Sequence, residues 1–254
     1  MPSPPHDDAV TDNTDVVLRS DRDHVATLVL NRPEKLNALT PATFVSLRAH
    51  LDAIALEDDV HCVVLRGAGR SFCAGHDLGA IADGERAPSR HFEPETVDTL
   101  EQLPQPTIAR LHGHCFTGGL ELALACDLLV AAESTQLGDT HGQWGLVPVW
   151  GMSVRLPERI GRARAKELMY TSRRIPATVA AGMGLVDRVV PDDQLDAAVD
   201  ELAAEIVRNS PGTNRRVKRL IDAHDSMSRS AALLHERSVP FGLPEDMGER
   251  LSSR

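Results

Sequence analysis

The segment "FTGGLELALACD", residues 116–127, places two glycines and one glutamate at the start of an otherwise apolar run. A carboxylate that is buried without a partner is costly, so Glu121 must be paired, hydrated or chemically active. Gly118 and Gly119 stand before it, where a strand-to-helix turn would use their torsional freedom. The segment therefore predicts a tight turn followed by a buried helix over residues 121–126.

A second glycine-rich turn has the same pattern. The segment "FCAGHDL", residues 72–78, also follows an apolar run, "CVVLRG", and is also expected to open a helix. Such turns leave backbone N–H groups free at the positive end of a helix. Two of them on neighbouring strands would place two N–H groups around one oxygen, as in an oxyanion hole. The alternative is that both are ordinary turns that need glycine only for its torsion angles.

Around these turns, short β-branched runs alternate with helical patterns, which is typical of an α/β fold with parallel strands. From about residue 150 the pattern becomes mostly helical, and residues 193–209 are the clearest helix. One helix is expected to begin at the Thr40 cap, with Pro41 at its first position. Strands are predicted at 16–20, 25–30, 62–67, 106–113, 128–134 and 135–139, and helices at 41–56 and 94–103.

Composition excludes several classes of protein. The chain has 254 residues, 42% of them apolar and 25% charged, which is ordinary for a soluble globular protein. Its net charge of −10 argues against a nucleic-acid-binding surface. The four cysteines form no C-x-x-C pair, so a structural zinc site is not expected. With no apolar leader and no run of about 20 apolar residues, we expect a cytoplasmic protein without a membrane span, and a disordered tail over residues 1–15.

The two glycine turns and their surroundings resemble the enoyl-CoA hydratase/isomerase family, the crotonases. The resemblance rests on "FCAGHDL" and on "HGHCFTGGLELALACDLLVAAESTQLGDTHGQWGLVP", residues 112–148. The segments "NRPEKLNAL" (31–39) and "GLVDRVVPDDQL" (184–195) are similar to an earlier and a later signature of that family. The resemblance extends from about residue 16 to residue 246.

The resemblance implies a fold, a ligand and an assembly. The fold is an α/β crotonase (ClpP-like) spiral of repeated β-β-α units over residues 16–194. A C-terminal helical segment for trimerisation follows over residues 195–254. The ligand is an acyl-CoA thioester, with no metal and no cofactor beyond the coenzyme A of the substrate. The assembly is a homotrimer or a dimer of trimers.

The resemblance also assigns site residues. His76 and Gly118 would supply the oxyanion N–H groups, and Glu121 would be the principal acid/base. Glu121 could instead be a first-turn residue that only favours the helix dipole. Arg32, Lys35 and Arg70 lie in loops expected near the coenzyme A phosphates, or are solvated surface cations. Substrate-binding positions are expected at Lys35, Ala38, Ala74, Asp77, Leu78 and Gly119.

The chain departs from the family at two places. The second family glutamate is expected twenty residues after the first, but this position is His141. Histidine can act as acid or base near neutral pH, or only hydrogen-bond within its loop; Asp139 or Thr140 could stand in for the missing carboxylate. The C-terminal "EDMGERLSSR" keeps Asp246 but lacks the family's following glutamate-glycine pair and aromatic, which would alter the acyl tunnel or a neighbouring subunit's lid. Trp144 and Trp150 are expected to wall the acyl pocket.

The leading activity is therefore that of a lyase, hydration of a 2-enoyl-CoA by Glu121 with His141 as its partner. An isomerase, hydrolase or decarboxylase would use the same oxyanion hole, so the fold does not decide among them. A non-catalytic subunit that binds coenzyme A esters is the alternative of another class. An unrelated α/β hydrolase is disfavoured, because the sequence has no G-x-S-x-G nucleophile motif.

Overall fold

The computed structural model describes residues 15–224 and 226–252, so residues 1–14 of the predicted tail lie outside the described residues. The strands are β1 (Val17–Arg22), β2 (Val25–Leu30), β3 (Cys62–Gly67), β4 (Thr107–Leu111), β5 (His114–Phe116), β6 (Leu128–Ala132), β7 (Gln136–Gly138), β8 (Ile175–Pro176) and β9 (Arg188–Val190). The helices are α1 (Pro41–Ile54), α2 (Leu78–Ala82), α3 (Phe92–Glu101), α4 (Gly118–Leu124), α5 (Met152–Ile160), α6 (Arg162–Thr171), α7 (Ala177–Met183), α8 (Leu195–Arg208), α9 (Pro211–His224), α10 (Arg229–Arg237) and α11 (Met247–Ser252).

The larger sheet has six strands in the order β1-β2-β3-β4-β6-β9. The first pair is antiparallel. Every other pair is parallel, and the sequence pattern predicted this parallel pairing. In β4 every residue is buried, as is typical of a parallel strand that is covered on both faces. Because parallel strands end at the same edge, the loops that follow β3 and β4 come together there.

A smaller sheet, in the order β5-β7-β8, continues from this edge. The chain passes from β4 into β5 through Gly113, whose φ is +57°, and a Cβ there would lie 2.0 Å from the carbonyl oxygen of Arg70. Only glycine fits this bend. The order β4-β5-α4 is one strand-strand-helix unit. In the next unit, β6 and β7 are followed by a 3-10 helix, His141–Trp144. The predicted repeat is therefore present.

The larger sheet is covered on both faces. On one face α1 begins at the predicted cap, where the Thr40 hydroxyl accepts a hydrogen bond from the N–H of Thr43 at 3.3 Å. It buries the predicted stripe of Phe44, Leu47, Leu51 and Ile54 in the main core. On the other face α8 packs Leu195, Val199 and Ala203 against Cys62, Val64, Ile108 and Val130 of the strands.

The C-terminal helices bury little of their surface. In α9 only Lys218 is buried, with its ammonium 2.8 Å from Asp127, and neither α10 nor α11 has a buried residue. The trimerisation role and the domain boundary at 194/195 stay predictions, although α8 itself packs on the sheet. Within the described ranges, no helix has the length and apolar character needed to cross a membrane.

Candidate active site

The two glycine turns lie side by side. Cys73 and Cys115 form a parallel bridge, in which the N–H of Phe116 donates to the Cys73 carbonyl at 3.0 Å. A Cβ added at Gly75, where φ is +108°, would lie 3.5 Å from the backbone nitrogen of Gly118. The turn after β3 therefore needs glycine both for its torsion angle and for its contact with the turn after β5.

Each turn leaves one N–H group without an acceptor. Leu39 bonds to the neighbours of His76, donating to the Gly75 carbonyl and accepting from the N–H of Asp77, both at 2.8 Å. Among residues 15–224 and 226–252, neither the N–H of His76 nor that of Gly118 donates a hydrogen bond. Both residues line the same cavity. The two groups can therefore donate to one ligand oxygen, as an oxyanion hole requires.

The residue before the second turn is strained. Thr117 has φ +52° and ψ −115°, an unfavourable region for a β-branched residue. Its N–H donates to the carbonyl of Gly138 at 2.9 Å, and its hydroxyl lies 2.6 Å from that of Thr140. These bonds to the next strand hold a conformation that would otherwise relax, which is how strain is kept at functional sites.

The turns open into a cavity of about 620 Å³. Its polar lining includes Glu121 and His141, and its apolar lining includes both predicted tryptophans, Trp144 and Trp150. Trp150 is 4% exposed and lies so close to Gly118 that a Cβ there would be 2.4 Å from the indole ring. The floor of the cavity is therefore packed tightly on the second turn. The remaining apolar lining includes Leu36, Ile81, Phe116, Leu146, Val147 and Val149.

Glu121 lies in the first turn of α4 and is 1% exposed. Its Oε1 accepts hydrogen bonds from the N–H groups of Trp150 at 3.1 Å and Met152 at 3.0 Å. Burial raises the pKa of Glu121 to about 7, although these two bonds and the nearby His141 oppose the rise. The carboxylate is thus paired on one oxygen and available on the other, and it can exchange a proton near neutral pH.

His141 stands opposite that second oxygen. Its Nε2 is 3.8 Å from Oε2 of Glu121, and its Nδ1 is 2.5 Å from Oδ1 of Asp139. Burial lowers the pKa of His141, but the hydrogen bond and charge of Asp139, together with the charge of Glu121, raise it above its ordinary value. In the described part of the chain, no three His, Cys, Asp or Glu side chains are grouped to hold a metal ion.

Most of the predicted substrate-binding positions lie on the cavity wall, namely Lys35, Ala38, Ala74, Asp77 and Leu78. The carboxylate of Asp77 is engaged elsewhere, because it caps α2 through the N–H of Gly79 at 2.9 Å and pairs with Arg32 at 2.9 Å. Arg32 is therefore held by its ion pair with Asp77, and neither Arg32 nor Arg70 lines the cavity.

Gly119 is not among the residues that line the cavity. A Cβ there would lie 2.5 Å from the carbonyl oxygen of Cys73, so the glycine lets α4 approach the turn after β3. The sequence analysis placed Gly119 beside the substrate, whereas the structure places it in a close packing contact with Cys73.

Three features were not predicted from the sequence. Arg174 lines the cavity, with its guanidinium 4.8 Å from the centre of the Phe116 ring. Arg155 donates to the Trp150 carbonyl at 2.7 Å and to Glu101 at 2.8 Å, and so holds the backbone between the two residues whose N–H groups bond to Glu121. Asp139 lies behind His141 rather than in the cavity. The sequence offered Asp139 only as a stand-in for the missing carboxylate, and its contact with the His141 ring was not predicted.

Similarity to known proteins identifies the family of the chain. The family model described as enoyl-CoA hydratase/isomerase matches residues 20–243. The chain belongs to the enoyl-CoA hydratase/isomerase family. The crotonase fold predicted from its motifs is thereby confirmed, whereas the oxyanion role of the N–H groups of His76 and Gly118 stays a prediction.

The chain is similar to other proteins over most of its length. A probable peroxisomal enoyl-CoA hydratase 1 of Arabidopsis thaliana is 34% identical over 231 residues, 91% of this chain and 87% of the relative. A putative enoyl-CoA hydratase/isomerase of Bacillus subtilis is 39% identical over 200 residues, 77% of each chain. The crystal structure of an enoyl-CoA hydratase from Bacillus anthracis superposes with a TM-score of 0.89 at 37% identity, covering 94% of this chain and 95% of that one.

Proposed function

We propose that the protein is a lyase that adds water to a 2-enoyl-CoA thioester. The observation that carries the proposal is the pairing of Glu121 with His141, at 3.8 Å, in the cavity that also holds two unpaired N–H groups. Relatives over most of the chain are named enoyl-CoA hydratases, among them a short-chain-enoyl-CoA hydratase of Clostridium acetobutylicum at 32% identity.

The first step is polarisation of the thioester. Its carbonyl oxygen accepts hydrogen bonds from the N–H groups of His76 and Gly118, which makes the β-carbon electrophilic and stabilises the enolate that follows. Removing one such donor typically costs ~3–4 kcal/mol of transition-state stabilisation. Only the backbone of His76 is used, so its ring serves to pack on Trp150, with the ring centres 4.9 Å apart.

The second step is the addition itself. Ionised Glu121 takes a proton from water as the water oxygen bonds to the β-carbon. Protonated His141 gives its Nε2 proton to the α-carbon, so that H and OH are added across the double bond. A proton then passes from Glu121 to His141 and restores the starting state. A base with a pKa of about 7 suits this cycle at neutral pH.

The proposal extends to the ligand and the assembly. The acyl chain occupies the apolar wall around Trp144 and Trp150, and coenzyme A lies toward Lys35 at the exposed rim. No metal or cofactor is required beyond the coenzyme A of the substrate. A homotrimer or dimer of trimers, and a cytoplasmic location, belong to the same proposal.

The test is turnover of crotonyl-CoA and of a longer 2-enoyl-CoA, with products identified by mass and thiol release followed in parallel. Wild type should add 18 mass units, the mass of water, without releasing free coenzyme A, and Glu121→Gln should lose this activity. Release of thiol would indicate a hydrolase, and a shifted double bond an isomerase. Binding without turnover would overturn the proposal and favour a non-catalytic subunit, whereas hydration gained only in His141→Glu would show a different native reaction.

A further inference from the structure

The environment of Asp139 is unusual for a carboxylate. It follows β7 directly and is 1% exposed, yet it does not line the cavity. Its Oδ1 accepts two hydrogen bonds from one residue, from the backbone N–H of His141 at 3.1 Å and from the Nδ1 of that ring at 2.5 Å. Both contacts constrain the same side chain.

These contacts fix the proton positions on the imidazole. A carboxylate oxygen only accepts, so Nδ1 of His141 must carry a proton. The other ring nitrogen, Nε2, then faces Glu121 and the cavity, where it donates when the ring is charged and accepts when it is neutral. The ring cannot turn over without breaking both the Nδ1 bond and the 3.8 Å contact with Glu121.

Resting on the function proposed above, we infer that Asp139 is a positioning residue that makes His141 the proton donor of the reaction. Asp139 holds the ring with Nε2 toward the α-carbon of the bound thioester and keeps the ring protonated. It does not touch substrate and takes up no proton itself. The proton leaves Nε2 for the α-carbon, and the one that Glu121 removed from water replaces it.

The charges around His141 favour this assignment. Asp139 approaches from the end of β7 and Glu121 from α4, and both attract the protonated ring. His76 faces it from the turn after β3, and its pKa is lowered by burial and by His141, which favours a neutral His76 beside a charged His141. The other charged groups on the cavity wall are Lys35, Asp77 and Arg174. Removing Asp139 would leave Glu121 as the only one of these two carboxylates that attracts the charged ring.

Asp139→Asn tests the inference, because the amide keeps the shape and an acceptor oxygen but removes the charge. A general acid contributes about 10²–10⁴ in rate, and we expect a loss of about ten- to a hundredfold in kcat with KM within about twofold. The alkaline limb of the kcat/KM profile, set by loss of the His141 proton, should move to lower pH. A control variant, Asp192→Asn, removes an equal charge at a side chain that bonds to Ser134 and does not line the cavity, and should change neither.

A second readout does not depend on the reaction. Titration of ¹⁵N-labelled imidazole signals in the free protein, with His141→Gln for assignment, should show a His141 pKa at least about one unit lower in Asp139→Asn. An unchanged His141 titration, or a kcat loss with the alkaline limb unmoved, would overturn the inference. If wild type hydrates no 2-enoyl thioester while the titration shifts as expected, the proposed function fails and the pairing of Asp139 with His141 stands.

Discussion

Replacing Glu121 by glutamine should make the protein more stable at alkaline pH while it abolishes hydration. Glutamine keeps an acceptor oxygen for the N–H groups of Trp150 and Met152, so the local structure should persist. The carboxylate is costly because it is buried, and its pKa rises from 4.5 to about 7. At roughly 1.4 kcal/mol per pH unit, this difference corresponds to ~3 kcal/mol.

The sign of the effect follows from the order of ionisation. Below pH 4.5 the carboxyl group is protonated in both the folded and the unfolded chain and costs nothing. Between pH 4.5 and about 7 the unfolded chain loses its proton first, so the free energy of unfolding falls as the pH rises. Above about pH 7 the whole cost of ~3 kcal/mol is present. Glutamine removes this cost over the same range.

Urea unfolding of wild type and Glu121→Gln between pH 4 and pH 8.5 measures the difference. We expect equal free energies of unfolding near pH 4 and an advantage of ~3 kcal/mol for the variant near pH 8. Glu201→Gln, at an exposed position of α8, should show no pH-dependent difference. A variant that is less stable at pH 8, or an advantage that does not change with pH, would refute the burial argument.

Other predictions concern the packing around the site. Gly118→Ala places a methyl group 2.4 Å from Trp150, so activity should fall more than about a hundredfold and stability by about 1–3 kcal/mol. Turnover and thermal unfolding measure the two effects. The control is Gly182→Ala, whose methyl group meets nothing within 4 Å and which should leave stability unchanged or slightly higher. Arg155→Met removes the donor to the Trp150 carbonyl, and kcat should fall together with a shift in the acid limb of the pH–rate profile. Unchanged kinetics would mean that the Trp150 peptide holds its place without Arg155. Lys218→Met removes the ionic partner of Asp127, and neither residue lines the cavity. Denaturant unfolding should show a loss of about 1–3 kcal/mol, and a change in kcat would contradict a purely structural role for the pair.

The sequence predicts those parts of the site that are encoded locally. Gly75 and Gly118 are readable because a turn after an apolar strand leaves few alternatives to glycine, and α1 is readable from its cap and its stripe of apolar residues. The boundaries of α4 were wrong, since it begins at Gly118 rather than at residue 121. Glycine is a poor helix former, so the pattern did not indicate a helix start at residue 118. The need for glycine there comes from the indole of Trp150, which is distant in sequence.

Other parts of the site depend on pairing that no local pattern records. The three residues of β5 are too few for a strand signal, and β5 exists because Gly113 bends the chain into a second sheet. The roles of Arg155 and Asp139 follow from contacts that appear only once the loop around Trp150 and the 3-10 helix at His141 are in place. Gly119 was assigned to the substrate from its motif, but the close approach of Cys73 decides its position.

The loop that carries Trp150 performs two tasks at once. Its indole ring lines the cavity, and its backbone N–H, with that of Met152, donates hydrogen bonds to Glu121. Any substitution that reshapes the floor to admit a different acyl chain will also move these two donors. Substrate selectivity and the pKa of Glu121 are therefore expected to change together. Variants selected for a new substrate should also show a changed pH optimum.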